Sequence, residues 1–285
     1  MTTTLERVRT RVRRAAYART MAMPIEREHH HGFPVTVTDV VDVTPHYRRL
    51  TLAAPQLREY RTLGPDEYFG LVMPQPGQEL PDLSRLAGSN LRGALGELPE
   101  VERPDLRWYT VRRHRPEAGE VDVEVVTHGD DGPGSSWVRR AQAGQLAGFQ
   151  TGSSCYRLGS AAGDQVLVAD ETAFPALCGI LEQAGPGVRP HVFLEVPGPG
   201  VLPDLTPLAA GLAGTVAVVD RGDRAPGQAV TETLAAADLP APTFAWACGE
   251  KELAASVRRH LVSERGMDKR RVYFCGYWIL GRPRG

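Results

Sequence analysis

Three short segments carry residues whose types and spacing suit a ligand that combines a diphosphate with a planar ring. The first is Arg107-Trp108-Tyr109-Thr110. A guanidinium suits a diphosphate, a phenol ring can lie against a planar ring system, and a hydroxyl can reach a ring nitrogen. Strand alternation would place Arg107 and Tyr109 on one face and Thr110 on the other. Taken alone, these four residues are more typical of an ordinary structural strand than of a ligand site.

The second segment runs from His128 to Trp137 and reads HGDDGPGSSW. A loop rich in glycine and proline leads here into a helix that we expect to begin near Ser135. Backbone N–H groups at a helix start, together with the hydroxyls of Ser135 and Ser136, can bind an anion without a standard glycine fingerprint. The alternative is an ordinary loop that ends in a serine N-cap.

The third segment is Asp170-Glu171-Thr172, which follows an apolar run and precedes a helical pattern. Two carboxylates at such a junction stabilise the helix start through its dipole, and this can be their whole role. Ligands of open α/β sheets bind at the carboxyl ends of the strands, which is also where these residues lie. Neither GxGxxG nor GxxxxGK[ST] occurs in the sequence, so any nucleotide must be held differently.

Two regions with different hydrophobic periodicity position these segments. From about residue 33 to 128, short alternating runs are separated by Pro and Gly, which predicts an antiparallel sheet or barrel. The runs cover 35–41, 47–52, 68–73, 108–111 and 121–126. Residues 74–106 have no clear period and are predicted to form an irregular insertion or short helices over one mouth of the barrel.

After Gly163, continuous apolar runs alternate with helical patterns, which predicts a parallel sheet covered on both faces. The runs are 165–169, 191–196, 215–219, 243–248 and 272–275, and the helical patterns are 172–183, 228–237 and 250–264. The predicted fold is therefore an N-terminal antiparallel β-barrel followed by a C-terminal parallel-sheet α/β unit. The predicted boundaries are 1–30 for a basic tail, 31–150 for the barrel and 151–285 for the α/β unit.

Composition excludes several classes of protein. The 285 residues are 42% hydrophobic and 24% charged, which is typical of a globular chain. No stretch reaches the ~18 apolar residues of a membrane helix. A formal net charge of −1 argues against a dedicated nucleic-acid binder. The charge is unevenly distributed, because residues 1–20 hold six arginines and one glutamate, and residues 246–285 are also basic.

Cysteine usage and the N-terminus suggest a cytoplasmic protein. The four cysteines are far apart and form no CxxC pair, so we expect reduced thiols. No apolar signal-peptide core is present in residues 1–20. His29, His30 and His31 are adjacent, and three neighbouring imidazoles do not readily converge on one ion. No metal site is therefore predicted.

In this order and spacing, the three segments resemble the siderophore-interacting protein family, FAD-dependent ferric-siderophore reductases of the ferredoxin-reductase-like superfamily. Two further elements extend the resemblance to roughly residues 33–280. Trp246-Ala247-Cys248-Gly249-Glu250 is similar to the WxxGE element of the family, and Gly276-Tyr277-Trp278 is similar to its closing GYW.

The resemblance implies FAD as cofactor and NAD(P)H as a possible electron donor. Arg107, Tyr109 and Thr110 would hold the FAD diphosphate and the flavin ring. The diphosphate and the adenosine side would be held by His128, Gly134, Ser135, Ser136 and Trp137. Asp170, Glu171 and Thr172 would border the flavin and the nicotinamide pocket, Gly249 and Glu250 would shape the NAD(P)H side, and Trp278 would lie near the cleft. No catalytic side chain is implied, since the flavin performs the chemistry.

The resemblance also implies basic residues that receive an anionic ferric siderophore, for which Lys251 is the first candidate and Arg48 and Arg258 are further ones. The expected activity is electron transfer from NAD(P)H or ferredoxin through FAD to chelated Fe(III), which releases Fe(II). One feature departs from the family: residues 152–157 read GSSCYR where a Gly-Pro-Arg-Gly-like turn is usual.

That departure leaves two alternatives open. A repurposed member could use FAD as a scaffold or redox cofactor on an organic metabolite in a biosynthetic pathway, with Tyr68 and Tyr156 contacting the substrate. The chain could also be a non-enzymatic protein that binds a siderophore or a flavin. All three hypotheses predict a small-molecule ligand, no nucleic acid and no membrane span.

Overall fold

The computed structural model describes residues 18–86, 90–127, 132–156 and 162–281. It contains a seven-stranded antiparallel sheet followed by a five-stranded parallel sheet. This arrangement confirms the fold class expected from the two kinds of periodicity.

The antiparallel sheet closes on itself into a barrel. Its strands follow the order β4-β3-β7-β1-β2-β6-β5. Only Val111 and Arg112 separate β4 from β5, and their N–H groups donate to the carbonyls of Glu67 and Asp122 at 2.8 and 2.9 Å, so the two ends of the sheet are neighbours. The strands are β1 (Gly32–Thr44), β2 (Tyr47–Ala53), β3 (Tyr68–Met73), β4 (Asp105–Thr110), β5 (Arg113–Arg115), β6 (Glu120–Val126) and β7 (Leu146–Thr151).

Alternate residues of these strands fill the barrel interior. The rings of Phe69 and Phe149 stack there with centroids 4.4 Å apart. Val72 and Leu106 point the other way and are covered by α1 (Leu83–Leu86) and α2 (Leu91–Gly96). The short helices predicted within residues 74–106 are therefore present, and they lie on the outer face of β3 and β4.

The parallel sheet has the strand order β10-β9-β8-β11-β12. Its strands are β8 (Gly163–Asp170), β9 (Val188–Val196), β10 (Thr215–Asp220), β11 (Phe244–Glu250) and β12 (Val272–Trp278). The order changes direction between β8 and β11, the position at which open α/β sheets bind ligands.

Helices cover both faces of this sheet and the barrel packs against one of them, which explains its apolar strands. The helices on this sheet are α4 (Phe174–Glu182), α5 (Thr206–Ala209), α6 (Gln228–Ala236) and α7 (Lys251–Arg259), which continues as a π-helical turn (His260–Glu264). The preceding helix, α3 (Pro133–Arg140), packs against the barrel instead. Barrel residues Tyr47 and Tyr68 pack with α4 on one face. On the other face, side chains of α6 and α7 form a separate core.

The segment before β1 contacts both sheets. The N–H of Ala22 donates to the carbonyl of Val272 at 3.0 Å, and Ile25 forms a β-bridge with Ser154. Arg27 then forms an ion pair with Glu67 of the barrel at 2.7 Å. Residues 18–30 of the predicted tail are thus an ordered connection, residues 1–17 lie outside the described part of the chain, and the boundaries at 30 and 150 stay predictions.

Candidate functional site

The first candidate segment lies against the first turn of α3. A Cβ atom on Gly134 would be 2.5 Å from the Tyr109 hydroxyl oxygen and 3.0 Å from Cγ of Arg107. Only glycine permits this close approach of the helix backbone to β4. The structure therefore brings Arg107, Tyr109 and Gly134 together, and their roles in binding a cofactor stay predictions. The helix begins at Pro133 instead of near Ser135, because proline fits the first helical turn.

The start of α3 has the electrostatics of an anion site. Its N-cap is Gly132, which has no side chain to bind the first amides. Cγ of Arg107 lies beside this turn, and the guanidinium donates to the backbone carbonyl of Leu106 at 2.8 Å. The backbone amides of a helix start, the positive end of the helix dipole and a nearby guanidinium together suit a diphosphate. Burial raises the pKa of Tyr109 to about 12, so its phenol stays neutral.

The other predicted residues of this region have different surroundings. Thr110 is buried at the end of β4, and Trp137 packs in the barrel core. The hydroxyl of Ser136 accepts a hydrogen bond from Arg140. Ser135 lies in the first turn of α3. His128 lies outside the described residues.

A cavity of about 1410 Å³ lies at the carboxyl-terminal end of α3. Its lining includes Phe33, Leu83, Trp137 and Leu146. This cavity is separate from the contact between Gly134 and Tyr109, which involves the first turn of the helix.

The Asp170 carboxylate joins the carboxyl ends of three parallel strands. Its Oδ1 accepts hydrogen bonds from the backbone N–H and the hydroxyl of Thr172 at 2.8 and 2.6 Å. Its Oδ2 accepts from the N–H of Glu250 at 2.6 Å and from Nε1 of Trp278 at 2.8 Å. Gly249 has a φ of 145°, and a Cβ there would be 2.5 Å from Cγ of Asp170. Because Asp170 ends the strand in a turn, α4 begins at Phe174, two residues later than predicted.

Burial and the neighbouring charge of Glu171 raise the pKa of Asp170 to about 6. Glu171 itself is paired with Arg221 at 2.7 Å, and Arg221 also contacts Glu195 at 2.9 Å. All three side chains are buried. Glu195 further accepts the N–H of Gly227 at 2.9 Å and so occupies the start of α6. Sequence reasoning missed Arg221 and Glu195, since no motif links them to Glu171.

Glu250 caps α7 with one oxygen and binds the chain end with the other. Its Oε2 accepts the N–H groups of Glu252 and Leu253, and its Oε1 accepts the N–H of Leu280 at 3.1 Å. The carboxylates of Asp170 and Glu250 therefore each hold together the ends of neighbouring strands and helices. They would do so whether or not a nucleotide is bound.

Asp66 is a third residue that sequence reasoning missed. Its Oδ1 accepts the hydroxyl of Ser154 at 2.6 Å and the N–H groups of Cys155 and Tyr156 at 2.9 and 3.0 Å. Its Oδ2 accepts Nε1 of Trp246 at 3.0 Å. The unusual loop after β7 is therefore folded onto this carboxylate. No spacing signal connects Asp66 with Trp246, because they are 180 residues apart.

Among the predicted substrate cations, Lys251 is the one at the carboxyl edge of the parallel sheet. It is exposed at the start of α7 and has no ion pair within the described part of the chain. Arg48 donates to the carbonyls of Val138 and Arg139, where it caps the end of α3. Arg258 donates to Thr20 at 3.0 Å and lies over Phe274, on the face covered by α7. Both arginines are thus engaged away from the edge where a substrate was expected to bind.

The two predicted substrate tyrosines differ in exposure. Tyr68 is half-buried, and its ring is 5.4 Å from that of Trp108 in an edge-to-face contact. Burial and the nearby Cys155 raise the pKa of Tyr68 to about 12. Tyr156 is 1% exposed and donates to Oε1 of Gln165 at 2.7 Å, so it presents no surface to a substrate.

A search of the described residues finds no cluster of His, Cys, Asp and Glu that could bind a metal ion. Within the same residues, no helix combines the length and the apolar character that crossing a membrane requires.

Two protein-family models match the chain, one over the barrel and one over the parallel-sheet unit. Residues 36–152 match the model of the siderophore-interacting FAD-binding domain, and residues 162–281 match the model of the siderophore-interacting protein. An uncharacterized protein of Mycobacterium tuberculosis is 31% identical over 268 residues, which cover 88% of this chain and 91% of that protein. The ferric vibriobactin reductase ViuB of Vibrio cholerae is 29% identical over 187 residues, which cover 63% of this chain and 66% of that protein.

Solved structures show the same architecture. A siderophore utilization protein from T. fusca is 25% identical with a TM-score of 0.73, and the match covers 91% of this chain and 97% of that one. The siderophore-interacting protein SipS of Aeromonas hydrophila is 27% identical with a TM-score of 0.67, covering 88% and 99%. The flavohaem-like FAD/NAD binding domain of a Vibrio cholerae nitric oxide dioxygenase shares the fold, with a TM-score of 0.63 at 15% identity.

Proposed function

Because this chain belongs to the siderophore-interacting protein family, we propose that it is an FAD-dependent reductase that transfers electrons from NAD(P)H to ferric siderophores. The observation that carries the proposal is the close approach of Gly134, at the start of α3, to Arg107 and Tyr109. These residues fit a diphosphate beside a planar ring, which is the chemistry of FAD.

Each residue of this site has a defined task in the proposed reaction. Arg107 and the first amides of α3 would bind the diphosphate, and Gly134 would let the helix backbone come close enough to do so. Tyr109 offers a neutral aromatic surface beside them. Thr110, at the end of β4, supplies a hydroxyl that can hydrogen-bond a ring nitrogen.

Bound FAD supplies the redox chemistry, since a flavin accepts two electrons as a hydride and releases them singly. One NAD(P)H therefore reduces two ferric ions and leaves NAD(P)+ and one proton. Hard oxygen ligands bind Fe(II) less tightly than Fe(III), so reduction releases the metal from its chelator. No protein acid or base is needed for this step.

Lys251 is proposed to attract the ferric chelate electrostatically. It is exposed at the carboxyl edge of the sheet, next to the turn that Glu250 and Gly249 form. An ammonium group on a flexible stem suits ligands of varied shape because it acts as a point charge.

Spectroscopy of the purified protein tests the proposal. We expect flavin absorption, bleaching by NADH or NADPH without oxygen, and recovery when a ferric chelate is added. A colorimetric Fe(II) chelator should then report two ferrous ions for each nucleotide consumed. Protein that binds FAD but never passes electrons to any ferric chelate would contradict the proposal. Reduced ferredoxin, tested in place of the nucleotide, distinguishes the two donors.

A reaction on an organic metabolite remains the second hypothesis. The structure weakens one of the two tyrosine contacts on which it rests. Tyr156 is buried against Gln165, which leaves Tyr68 as the tyrosine with accessible surface. Turnover of a metabolite by the flavin-loaded protein, with no iron reduction, would favour this hypothesis.

A further inference from the structure

Cys248 and Cys275 lie directly opposite each other on two neighbouring strands. β11 and β12 run parallel, and their register pairs Cys248 with Cys275. Residues paired in this way point their side chains to the same face of a sheet. Both cysteines accordingly contribute to the core that packs against the barrel. Their thiol groups therefore lie side by side on one face.

The thiols of this region differ in their access to solvent. Cys275 is half-buried, whereas Cys248 is fully buried. A third thiol, Cys155 of the segment after β7, packs in the same core and donates a hydrogen bond to the hydroxyl of Tyr273 at 2.8 Å. Burial raises the pKa of Cys155 and of Cys248, so both stay protonated and react slowly. An oxidant from solution therefore meets Cys275 first.

The spacing of the two strands allows a disulfide after a small movement. Neighbouring strands are about 4.8 Å apart, which lies within the range of ~4.4–6.8 Å for the Cα atoms of a disulfide. The Cβ atoms of a disulfide are only about 3.8 Å apart, so closing the bond draws the facing side chains together by about 1 Å. Gly249 and Gly276 follow the two cysteines, and glycine backbones adjust easily to such a shift. A bond formed under strain is also readily reduced again by other thiols.

We propose that Cys275 is an oxidation site for hydrogen peroxide, and that it then forms a reversible disulfide with Cys248. The Cys275 sulfur attacks one peroxide oxygen, so an S–O bond forms, the O–O bond breaks and one water molecule leaves with the thiol proton. The Cys248 sulfur then attacks the oxidised sulfur, the S–S bond forms and a second water molecule leaves. Two thiols are thus oxidised, and one peroxide is reduced to two water molecules.

The disulfide would lie directly before the carboxyl ends of both strands. Gly249 and Glu250 complete β11, and the N–H of Glu250 donates to Asp170 at the end of β8 at 2.6 Å. Drawing β11 toward β12 would shift Glu250 relative to Asp170, at the point where ligands of open α/β sheets bind. We therefore expect the oxidised protein to accept electrons from a nicotinamide nucleotide more slowly. This effect rests on the proposed function, whereas the disulfide itself can be detected without any donor.

The chemistry of the proposed product gives such a site a purpose. Free Fe(II) reacts with hydrogen peroxide to form hydroxyl radicals. A reductase that slows down when peroxide is present would therefore release less Fe(II) under the conditions in which Fe(II) does most damage.

Peptide mass spectrometry detects the disulfide directly. The flavin-loaded protein is treated with hydrogen peroxide, the remaining thiols are blocked with N-ethylmaleimide, and the chain is digested with trypsin without reduction. Cys248 lies in the tryptic peptide 225–251 and Cys275 in the peptide 272–284. We expect these two peptides to be linked after peroxide treatment and to separate again when glutathione is added.

Two variants test the assignment of the pair. Cys248→Ala removes the second thiol, so oxidised Cys275 should persist as a sulfenic acid that dimedone labels, and no linked peptide should form. Cys155→Ser is the matched control, because serine keeps a hydroxyl beside Tyr273 and leaves the pair intact. It should form the same linked peptide as the unmodified protein.

Stopped-flow absorption measures the consequence for the flavin. After peroxide treatment, NADH or NADPH should reduce the flavin at least about ten-fold more slowly, because a displacement of ~1 Å at a reacting centre can cost up to ~100-fold in rate. Glutathione should restore the original rate. Cys248→Ala, which cannot form the disulfide, should keep its rate after the same treatment.

Several results would overturn the inference. These are a Cys275 that stays reduced in peroxide, a link from 272–284 to the Cys155 peptide 141–157 instead, or oxidised protein whose flavin is reduced at the untreated rate. If neither nucleotide reduces the flavin of the untreated protein, the donor in the proposed function is wrong, and the peptide result still decides whether Cys275 and Cys248 form the oxidation site.

Discussion

Oδ2 of Asp66 lies 3.0 Å from Nε1 of Trp246, so a buried barrel carboxylate is hydrogen-bonded to a strand of the parallel sheet. The other oxygen of Asp66 binds the chain segment that leaves the barrel after β7. The same side chain therefore sets both the path of the connecting segment and its distance from β11.

Replacing Asp66 by asparagine should destabilise the protein strongly. Asparagine keeps the shape, but its amide group would face N–H donors that now have a carboxylate acceptor. We expect the free energy of unfolding to fall by about 2–4 kcal/mol in urea denaturation. Asp39→Asn is the matched control, because Asp39 is exposed on β1 and should change stability by less than about 0.5 kcal/mol. Equal effects of the two substitutions would contradict this role.

Gly134→Ala should reduce FAD binding while the barrel still folds. The added methyl group would meet Tyr109 and Arg107, so β4 and the start of α3 must move apart. We expect at least about ten-fold weaker FAD binding by calorimetry, since even small displacements impair a preorganised site. Gly96→Ala at the end of α2 is the control, because no atom lies within 4 Å of a Cβ there. Unchanged FAD affinity in Gly134→Ala would place the cofactor elsewhere.

Lys251→Gln should raise the KM for an anionic ferric chelate, with little effect on flavin reduction by the nucleotide. Loss of one steering charge predicts a change of about three- to ten-fold that shrinks as salt is added. The chain has one other lysine, Lys269, which precedes β12 at the amino end of the sheet. Lys269→Gln is therefore the natural comparison, and a similar rise in KM there would argue for a nonspecific charge effect.

The raised pKa of Asp170 predicts how stability depends on pH. A carboxyl whose pKa is about 6 when folded and 3.8 when unfolded binds its proton more tightly in the folded state. Its contribution is fully favourable below pH 3.8 and is lost as the pH rises through 6, by about 3 kcal/mol in total.

Urea denaturation between pH 4 and pH 7 measures this contribution as a difference between the unmodified protein and Asp170→Asn. The unmodified protein should lose stability relative to Asp170→Asn as the pH rises from 4 to 7, because asparagine has no proton to lose. A constant difference across this range would show that Asp170 has an ordinary pKa.

Hydrophobic periodicity predicted most of the fold, because each sheet has a distinct pattern of burial. Two strands were missed for physical reasons. β5 has only three residues, and β7 contains Gly148, whose missing side chain makes room for Leu83 of α1. A short strand and a glycine-containing strand both lack the alternation that identifies a strand in sequence.

The parts of the candidate site that are formed by residues close together in the sequence could be predicted. Arg107 and Tyr109 share a strand face, and the turn before α3 is rich in glycine, so both signals are local. Contacts between distant segments could not be predicted in this way. Asp66 and Arg221 each act through partners that lie in other strands, and Arg48 and Arg258 are engaged by carbonyl groups whose positions depend on the tertiary fold.

The segment between Thr20 and His31 has a consequence for motion. It is hydrogen-bonded to β12, to the chain after β7 and to the barrel, through Ala22, Ile25 and Arg27. The polypeptide thus crosses from one sheet to the other twice, here and after Thr151. Two crossings leave no single hinge about which the sheets could rotate apart. Separating the two sheets would therefore require the hydrogen bonds of Ala22 and Ile25 to break, in addition to bending of the connection after Thr151.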